Sequence, residues 1–119
     1  MKKILSIIFF SLILSGNVFA ETIYCKVKST FICNADECKK SKSEIFINLD
    51  TERKTYQRGD NKGIDTYDMQ IYKSGNFVIA EIPSSASIKI DAANNMNFVE
   101  VVQLGLTTYN NFGTCKLNN

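Results

Sequence analysis

The amino-acid sequence predicts an all-β fold, a small antiparallel up-and-down meander of about eight strands that forms a barrel or a flattened half-open barrel. The first supporting observation is a succession of short runs rich in Ile, Val, Tyr, Phe and Thr, separated by turn residues. The second is the lack of any sustained apolar recurrence at helical spacing. The third is a pair of cysteines near the two ends of the domain, whose bridge would close the sheet. A two-sheet sandwich is the alternative.

Alternation of apolar and polar residues sets the predicted strands and their buried faces. The expected strands cover residues 22–33, 44–49, 54–58, 64–73, 77–82, 86–91, 97–104 and 106–114. In the first strand the odd positions from Ile23 to Cys33 form the apolar face, and in the fourth Tyr67, Met69 and Ile71 share one face. Because short turns join successive strands, neighbours along the chain are expected to pair antiparallel.

The strand predicted over residues 97–104 has apolar residues on both faces. The even positions, which point inward in one alternative, are Phe98, Glu100, Val102 and Leu104. In the other alternative Val99 and Val101 point inward. An inward Glu100 needs a partner, because burying a lone carboxylate is costly. We therefore expect Glu100 near the rim of the sheet, in water.

The first twenty residues have the three parts of a cleavable secretion signal. Met1-Lys2-Lys3 is a short cationic start, residues 4–14 are almost entirely apolar, and Val18 and Ala20 precede the expected cleavage site. The apolar stretch is shorter than the roughly 20 residues of a transmembrane helix, so no membrane span is expected after cleavage. The sequence thus predicts a signal peptide at residues 1–20, a single disulfide-stapled β domain at residues 21–119, and a periplasmic or secreted protein.

Removal of this segment leaves a domain without net charge. The chain has 14 Lys and Arg and 12 Asp and Glu, and two of the lysines, Lys2 and Lys3, belong to the predicted signal. The remaining 12 of each sign cancel. Because general nucleic-acid binding requires a basic excess, no nucleic-acid partner is expected. The local run of lysines at residues 39–42 is flanked by acidic residues and predicts a solvated loop.

An even number of cysteines in a small exported domain predicts disulfide bonds. Along one extended strand Cys25 and Cys33 would lie about 26 Å apart, whereas bridged α-carbons lie within about 7 Å. We therefore favour the pairs Cys33–Cys38 and Cys25–Cys115, of which the second would tie the first strand to the last. The alternative is Cys25–Cys38 with Cys33–Cys115.

The sequence predicts no catalytic, cofactor-binding or metal-binding residues, and no enzyme activity. The chain lacks histidine, the commonest general base and metal ligand. The cysteines have neither the tight paired spacing of zinc sites nor the Cys-x-x-Cys pattern of redox sites. Residues 60–65 have a faint similarity to a calcium loop, but Lys62 stands where an oxygen ligand is needed, so a hairpin turn is expected. Asp65 and Asp68 fall on opposite strand faces, which leaves Glu81 and Glu100 as carboxylates that could approach across the sheet.

Residues 24–26 around Cys25, Cys115 near the other end, and the strand plan resemble the family of membrane-bound inhibitors of c-type lysozyme. This resemblance implies a small exported barrel. The inhibitory motif of that family has Ser-Gly followed two residues later by Tyr, whereas Ser74-Gly75-Asn76-Phe77-Val78 has no tyrosine. The resemblance covers the chain ends and the strand plan only, so it implies the fold and not the inhibitory activity.

Three functional hypotheses follow from a rigid exported scaffold without catalytic groups. The first is a non-catalytic module that binds another protein of the envelope or the extracellular space, in the manner of an inhibitor. The second is a carrier of a small apolar ligand inside the barrel. The third is a structural or assembly factor of the envelope whose uncovered sheet edge pairs with a partner's strand.

Overall fold

The computed structural model describes residues 21–118 and shows ten β-strands in one antiparallel sheet. The strands are β1 (Thr22–Cys33), β2 (Cys38–Ser41), β3 (Phe46–Asp50), β4 (Thr55–Asp60), β5 (Gly63–Asp68), β6 (Gln70–Ser74), β7 (Phe77–Ile82), β8 (Ala86–Asp91), β9 (Asn97–Leu104) and β10 (Thr107–Asn118). The signal peptide predicted at residues 1–20 lies outside the described residues. Within those residues, no helix is long and apolar enough to cross a membrane.

The sheet curls into a nearly closed barrel with one unsealed seam. Its strands follow the order β5-β4-β3-β1-β10-β9-β8-β7-β6, and β2 pairs with β1 beside this path. The central step is the pairing of the first strand with the last, β1 with β10. β5 and β6 are the two ends of the order, and they follow each other in the chain without pairing. The predicted antiparallel meander is therefore confirmed, and the seam lies between β5 and β6.

Two local differences raise the strand number above the expected eight. Residues 64–73, expected to be one strand, are divided between β5 and β6. The division falls at Met69, whose side chain is buried and whose backbone N–H donates to the Lys54 carbonyl at 3.0 Å. Residues 38–41, expected to be in a loop, form β2 against the end of β1, although their side chains remain largely exposed.

β1 reverses its inward-facing positions part-way along. The register between β1 and β10 shifts between Val27 and Ser29. Up to Val27 the odd positions are buried, but beyond the shift Thr30 is buried instead. The expectation that odd positions stay buried from Ile23 to Cys33 is thus wrong beyond Val27. A β-bulge inserts one residue, and this reverses which side chains face the core.

Two disulfide bonds tie the barrel, and they are the two pairs favoured by the strand geometry. Cys25 bonds to Cys115, joining directly opposite positions of β1 and β10. Cys33 bonds to Cys38 and closes the short connection between β1 and β2. Within residues 21–118 no cysteine is free. Disulfides persist in oxidising compartments, so this chemistry is typical of an extracytoplasmic protein.

Apolar side chains from seven of the ten strands, together with Met69, fill the barrel interior. The buried core consists of Ile23, Cys25, Val27, Ile47, Leu49, Tyr56, Met69, Val78, Ala80, Ile82, Ala86, Ile88, Ile90, Phe98 and Cys115. Among the residues whose burial the structure describes, four polar residues are buried with this core, namely Thr30, Thr51, Glu100 and Asn111. Because buried polar groups require partners, their contacts decide what the interior can do.

Candidate functional site

Glu100 is fully buried inside the barrel, which corrects the expectation of a solvated residue near the rim. Its side chain lies on the inner face of β9 together with Phe98, and its exposed fraction is 0%. The physical reason is that β4, across the interior, and β10, the neighbouring strand, supply hydrogen-bond donors, so that the carboxylate loses water without losing partners. Those donors come from residues more than ten positions away in sequence.

Four donor atoms surround the two carboxylate oxygens of Glu100. Oε2 accepts a hydrogen bond from the Tyr56 hydroxyl at 2.5 Å and one from Arg58 Nε at 2.8 Å. Oε1 accepts one from Arg58 Nη2 at 3.1 Å and one from Asn111 Nδ2 at 2.7 Å. Asn111 Oδ1 in turn accepts a hydrogen bond from the Thr30 hydroxyl at 2.7 Å. This network links β1, β4, β9 and β10 across the interior.

The network changes the proton affinity of two of its members. Burial raises the pKa of the Tyr56 hydroxyl, and the charge and hydrogen bond of Glu100 raise it further. For Arg58, burial acts to lower the pKa. The hydrogen bond and charge of Glu100, with smaller contributions from Tyr56 and Tyr67, outweigh that effect and raise it. The hydroxyl therefore stays protonated and the guanidinium stays charged, as two donors to Glu100.

The network engages both carboxylate oxygens of Glu100 and lies largely inside the barrel. Its donors to Glu100 come from Tyr56, Arg58 and Asn111, and three of the five residues in the network are fully buried. Arg58 is the partial exception, since 23% of its side chain is exposed. Its Nε and Nη2 nevertheless both donate to Glu100. The network thus stabilises the packing of four strands around a charged pair.

The seam between β5 and β6 is the open part of the barrel, and Arg58 lies on β4, next to β5. All six residues of β5 are exposed, the only strand of the described chain with this pattern. Asp65 and Tyr67 lie directly opposite Arg58 and Tyr56 in the register, so they share the inner face of the sheet. Because β5 is the last strand of the order, one of its two edges pairs with no further strand of the described chain.

The free edge of β5 presents a defined set of backbone groups. A two-residue turn, Asn61 and Lys62, joins β4 to β5, and Asp60 pairs with Gly63 beside it. In such a hairpin the flanking pair is hydrogen-bonded, and the pairs alternate from there. The backbone groups of Ile64, Thr66 and Asp68 therefore point away from β4. The bond from Met69 N–H to Lys54 continues the same alternation.

Edge strands usually carry features that block pairing with other chains, such as lysine, proline or a bulge. β5 contains no lysine or proline, and its register with β4 is continuous. β6, the other end of the sheet, contains Lys73. β5 instead carries two carboxylates, Asp65 and Asp68, which disfavour pairing with a like-charged strand such as a second copy of β5.

A second surface, the outer aromatic stripe, crosses the outside of β10, β1, β3 and β5 and consists of Lys116, Tyr24, Phe46 and Ile64. The Lys116 ammonium lies 5.7 Å from the Tyr24 ring centroid, and the Tyr24 and Phe46 rings stack at 6.1 Å. A groove of about 580 Å³ runs beside Tyr24 and Phe46 and reaches Asp60 and Asn61 in the β4–β5 turn. The aromatic surface is thus continuous with the exposed β4–β5 hairpin.

The structure places Glu81 and Glu100, the two carboxylates that could have approached across the sheet, on opposite sides of it. Glu81 lies on the outer face of β7, because its neighbours Ala80 and Ile82 are buried, whereas Glu100 lies inside. Asp65 and Asp68 remain on opposite faces of β5. Residues 60–63 form the hairpin turn. In the part of the chain that the structure describes, no three His, Cys, Asp or Glu side chains are placed to hold a metal ion.

The sequence reasoning missed the network around Glu100 and the open edge of β5. One signal for the network was present, a glutamate in the middle of an apolar strand. Its partners lie at sequence separations of 11, 42 and 44, which no local pattern reveals. Comparison of the chain with protein-family models, curated proteins and solved structures finds no match.

Proposed function

We propose that this protein is an exported, non-catalytic module that binds another protein through the free edge of β5. The observation that carries this proposal is a fully exposed edge strand, with outward-pointing backbone donors and acceptors and without lysine, proline or a bulge. Adding a strand to such an edge is a recurring way in which domains bind extended protein segments.

The rest of the molecule favours a rigid platform for such binding. The Glu100 network ties β4 of the hairpin to β9, and the two disulfides tie β1 to β10 and to β2 elsewhere in the same sheet. Preorganised backbone at an edge lowers the entropy cost of association. The outer aromatic stripe adjoins the hairpin and offers additional apolar contact area.

The carrier hypothesis is less well supported. Tyr56, Ile47, Leu49, Ile88 and Ile90 are fully buried side chains that occupy the interior, and Glu100 and Asn111 place polar groups among them. An apolar ligand would have to displace these side chains or desolvate the network.

Inhibition of lysozyme is not part of this proposal. The inhibitory motif of the lysozyme-inhibitor family has no counterpart at the β6–β7 turn, where Ser74 and Phe77 flank Gly75 and Asn76.

Site-specific photo-crosslinking in cells that export the protein tests the proposal. A benzophenone amino acid replaces Tyr67 on β5, and in a control it replaces Phe77, which is similarly exposed at the start of β7. We expect a discrete protein adduct from position 67 and none from position 77.

A pair of substitutions at Thr66 tests whether the crosslink from position 67 depends on the backbone edge of β5. Thr66→Pro removes an outward-pointing N–H, while Thr66→Ala keeps it and loses the same hydroxyl contact with Gln57. We expect the adduct to disappear with Thr66→Pro and to remain with Thr66→Ala, and the purified adduct partner to bind the purified module. An adduct that is equally strong in both variants, or that forms only from position 77, contradicts the proposal.

A further inference from the structure

The chemistry of the segment that β5 accepts can be read from the side chains on its two faces, and this inference rests on the proposed function. On the inner face, β5 presents Asp65 and Tyr67. On the outer face, it presents Ile64, Thr66 and Asp68. Each face therefore offers one carboxylate and one apolar or aromatic side chain. A strand added at the edge places its own side chains directly beside these, about 4.5–5.5 Å away between Cβ atoms.

The two carboxylates are available to a partner. Within the described residues, no salt bridge involves Asp65 or Asp68. Asp65 lies opposite Arg58, but the Arg58 guanidinium is turned into the barrel toward Glu100, with Nε only 2.8 Å from Oε2. Asp60, the last residue of β4, adds a third carboxylate. Lys62 is the single cation of residues 60–68. The edge is thus locally acidic although residues 21–119 carry no net charge.

The two apolar positions of β5 are exposed and can be covered by a partner. Ile64 is 57% exposed and Tyr67 is 40% exposed. Covering such side chains with an apolar neighbour is favourable by about 25 cal/mol per Å² of apolar area removed from water. Both positions are next to outward-pointing backbone groups, so backbone pairing and side-chain burial would occur together.

We propose that β5 binds an extended, basic segment of another protein with the alternation basic–apolar–any–basic–apolar, running antiparallel to β5. In this register the two basic residues stand opposite Asp68 and Asp65, and the two apolar residues stand opposite Tyr67 and Ile64. The middle residue stands opposite Thr66. The pattern puts one basic and one apolar side chain on each face of the added strand, which matches the faces of β5.

A peptide titration with the disulfide-bonded protein (residues 21–119) tests this. The probe is the capped peptide Thr-Lys-Val-Thr-Arg-Val-Thr, and the control peptide has Glu in place of both Lys and Arg. Nuclear magnetic resonance with ¹⁵N-labelled protein follows the amides of Ile64, Thr66 and Asp68 and their exchange with solvent. We expect these amides to shift and become protected with the basic peptide, and its Kd to be at least about tenfold lower than that of the acidic peptide.

Variants separate the backbone contribution from the charge contribution. Thr66→Pro is expected to weaken binding of the basic peptide at least about tenfold, and Thr66→Ala by about twofold or less. The double variant Asp65→Asn with Asp68→Asn is expected to weaken it about three- to tenfold and to reduce its salt dependence. Circular dichroism and the spectrum of the core amides confirm that each variant is folded.

Three outcomes would overturn the inference. They are equal affinity for the basic and acidic peptides, shifts confined to residues away from β5, and a dimer of the protein itself that forms without peptide and is abolished by Thr66→Pro. The last would identify a second copy of the chain as the occupant of the edge. If the crosslink from position 67 is obtained but the basic peptide does not bind, the proposed function stands and only the basic pattern fails. If the peptide binds but no crosslink forms in cells, the edge chemistry stands and the proposed function fails.

Discussion

At the residue scale, the interior depends on the four hydrogen bonds that the Glu100 carboxylate accepts. A buried charge is tolerated when its partners compensate for the lost water, and removing one partner of such a pair typically costs about 3–5 kcal/mol. Tyr56 has a particular position in this network, because its hydroxyl is buried and donates to a charged acceptor. Its protonation state is therefore coupled to folding.

We predict that Tyr56→Phe destabilises the protein near neutral pH by about 1–3 kcal/mol, because Glu100 loses a donor and the hydroxyl site is emptied. The difference in free energy of unfolding between the parent and the variant should become smaller at alkaline pH. The ordinary tyrosine pKa is 10.0, and the pKa of folded Tyr56 is higher. Above pH 10 the unfolded chain releases this proton while the folded chain keeps it, so the parent's free energy of unfolding falls as pH rises.

Urea unfolding of both proteins at pH 7, 9, 10 and 11 measures this effect. The other tyrosines are present in both chains, so they largely cancel in the difference. We expect the difference to be constant up to about pH 9 and to have narrowed by about 1.4 kcal/mol at pH 11. A difference that stays constant or widens through pH 11 would show that Tyr56 is not buried against Glu100.

At the element scale, the bulge in β1 decides which residues line the interior. It brings Thr30 inward, where its hydroxyl donates to Asn111, and it leaves Gly113 of β10 opposite Val27 at the point where the register shifts. The two backbones approach closely there. A Cβ atom on Gly113 would collide with the Lys26 carbonyl oxygen and would meet the Phe98 ring. Glycine at this position therefore permits the bulge and the β1–β10 pairing to coexist.

We predict that Gly113→Ala destabilises the protein by about 3 kcal/mol, because the colliding atom belongs to the backbone and cannot turn aside. Gly63→Ala is the matched control, since a Cβ there meets nothing within 4 Å. Chemical unfolding should show the control within about 0.5 kcal/mol of the parent. Equal effects of the two substitutions would contradict a close approach of the β1 backbone to Gly113.

At the scale of the whole molecule, closure depends on joining the first and last strands. β1 and β10 are long and central in the strand order, and Cys25–Cys115 links them across 90 positions of sequence. Cys33–Cys38 closes a separation of 5 positions at the side of the barrel. In the chain-entropy account, a disulfide that closes a longer loop restricts the unfolded chain more strongly.

We predict unequal effects when each pair is replaced by alanine. Loss of Cys25–Cys115 is expected to lower the free energy of unfolding by about 4–5 kcal/mol, and loss of Cys33–Cys38 by about 2 kcal/mol. Urea unfolding of the two double variants, purified in parallel, gives the comparison. Larger destabilisation from the Cys33–Cys38 replacement would contradict the view that the β1–β10 link closes the barrel.

The sequence by itself determined the all-β class, the antiparallel meander and most strand positions, because alternation along a strand is a local property. Because one extended strand holds Cys25 and Cys33 too far apart for a bridge, the sequence also favoured the two disulfide pairs that the structure contains. These inferences needed only residue types and distances along the chain.

Only the tertiary structure decided the environment of Glu100, the reversal of β1 at its bulge and the open edge of β5. Glu100 is buried because Tyr56, Arg58 and Asn111 reach it from two other strands, and their positions follow from the register of the sheet. The seam lies where the interruption at Met69 divides one predicted strand, residues 64–73, between β5 and β6 at the two ends of the sheet. These features depend on the pairing of strands that are distant in sequence, and the residue pattern of a single strand does not reveal that pairing.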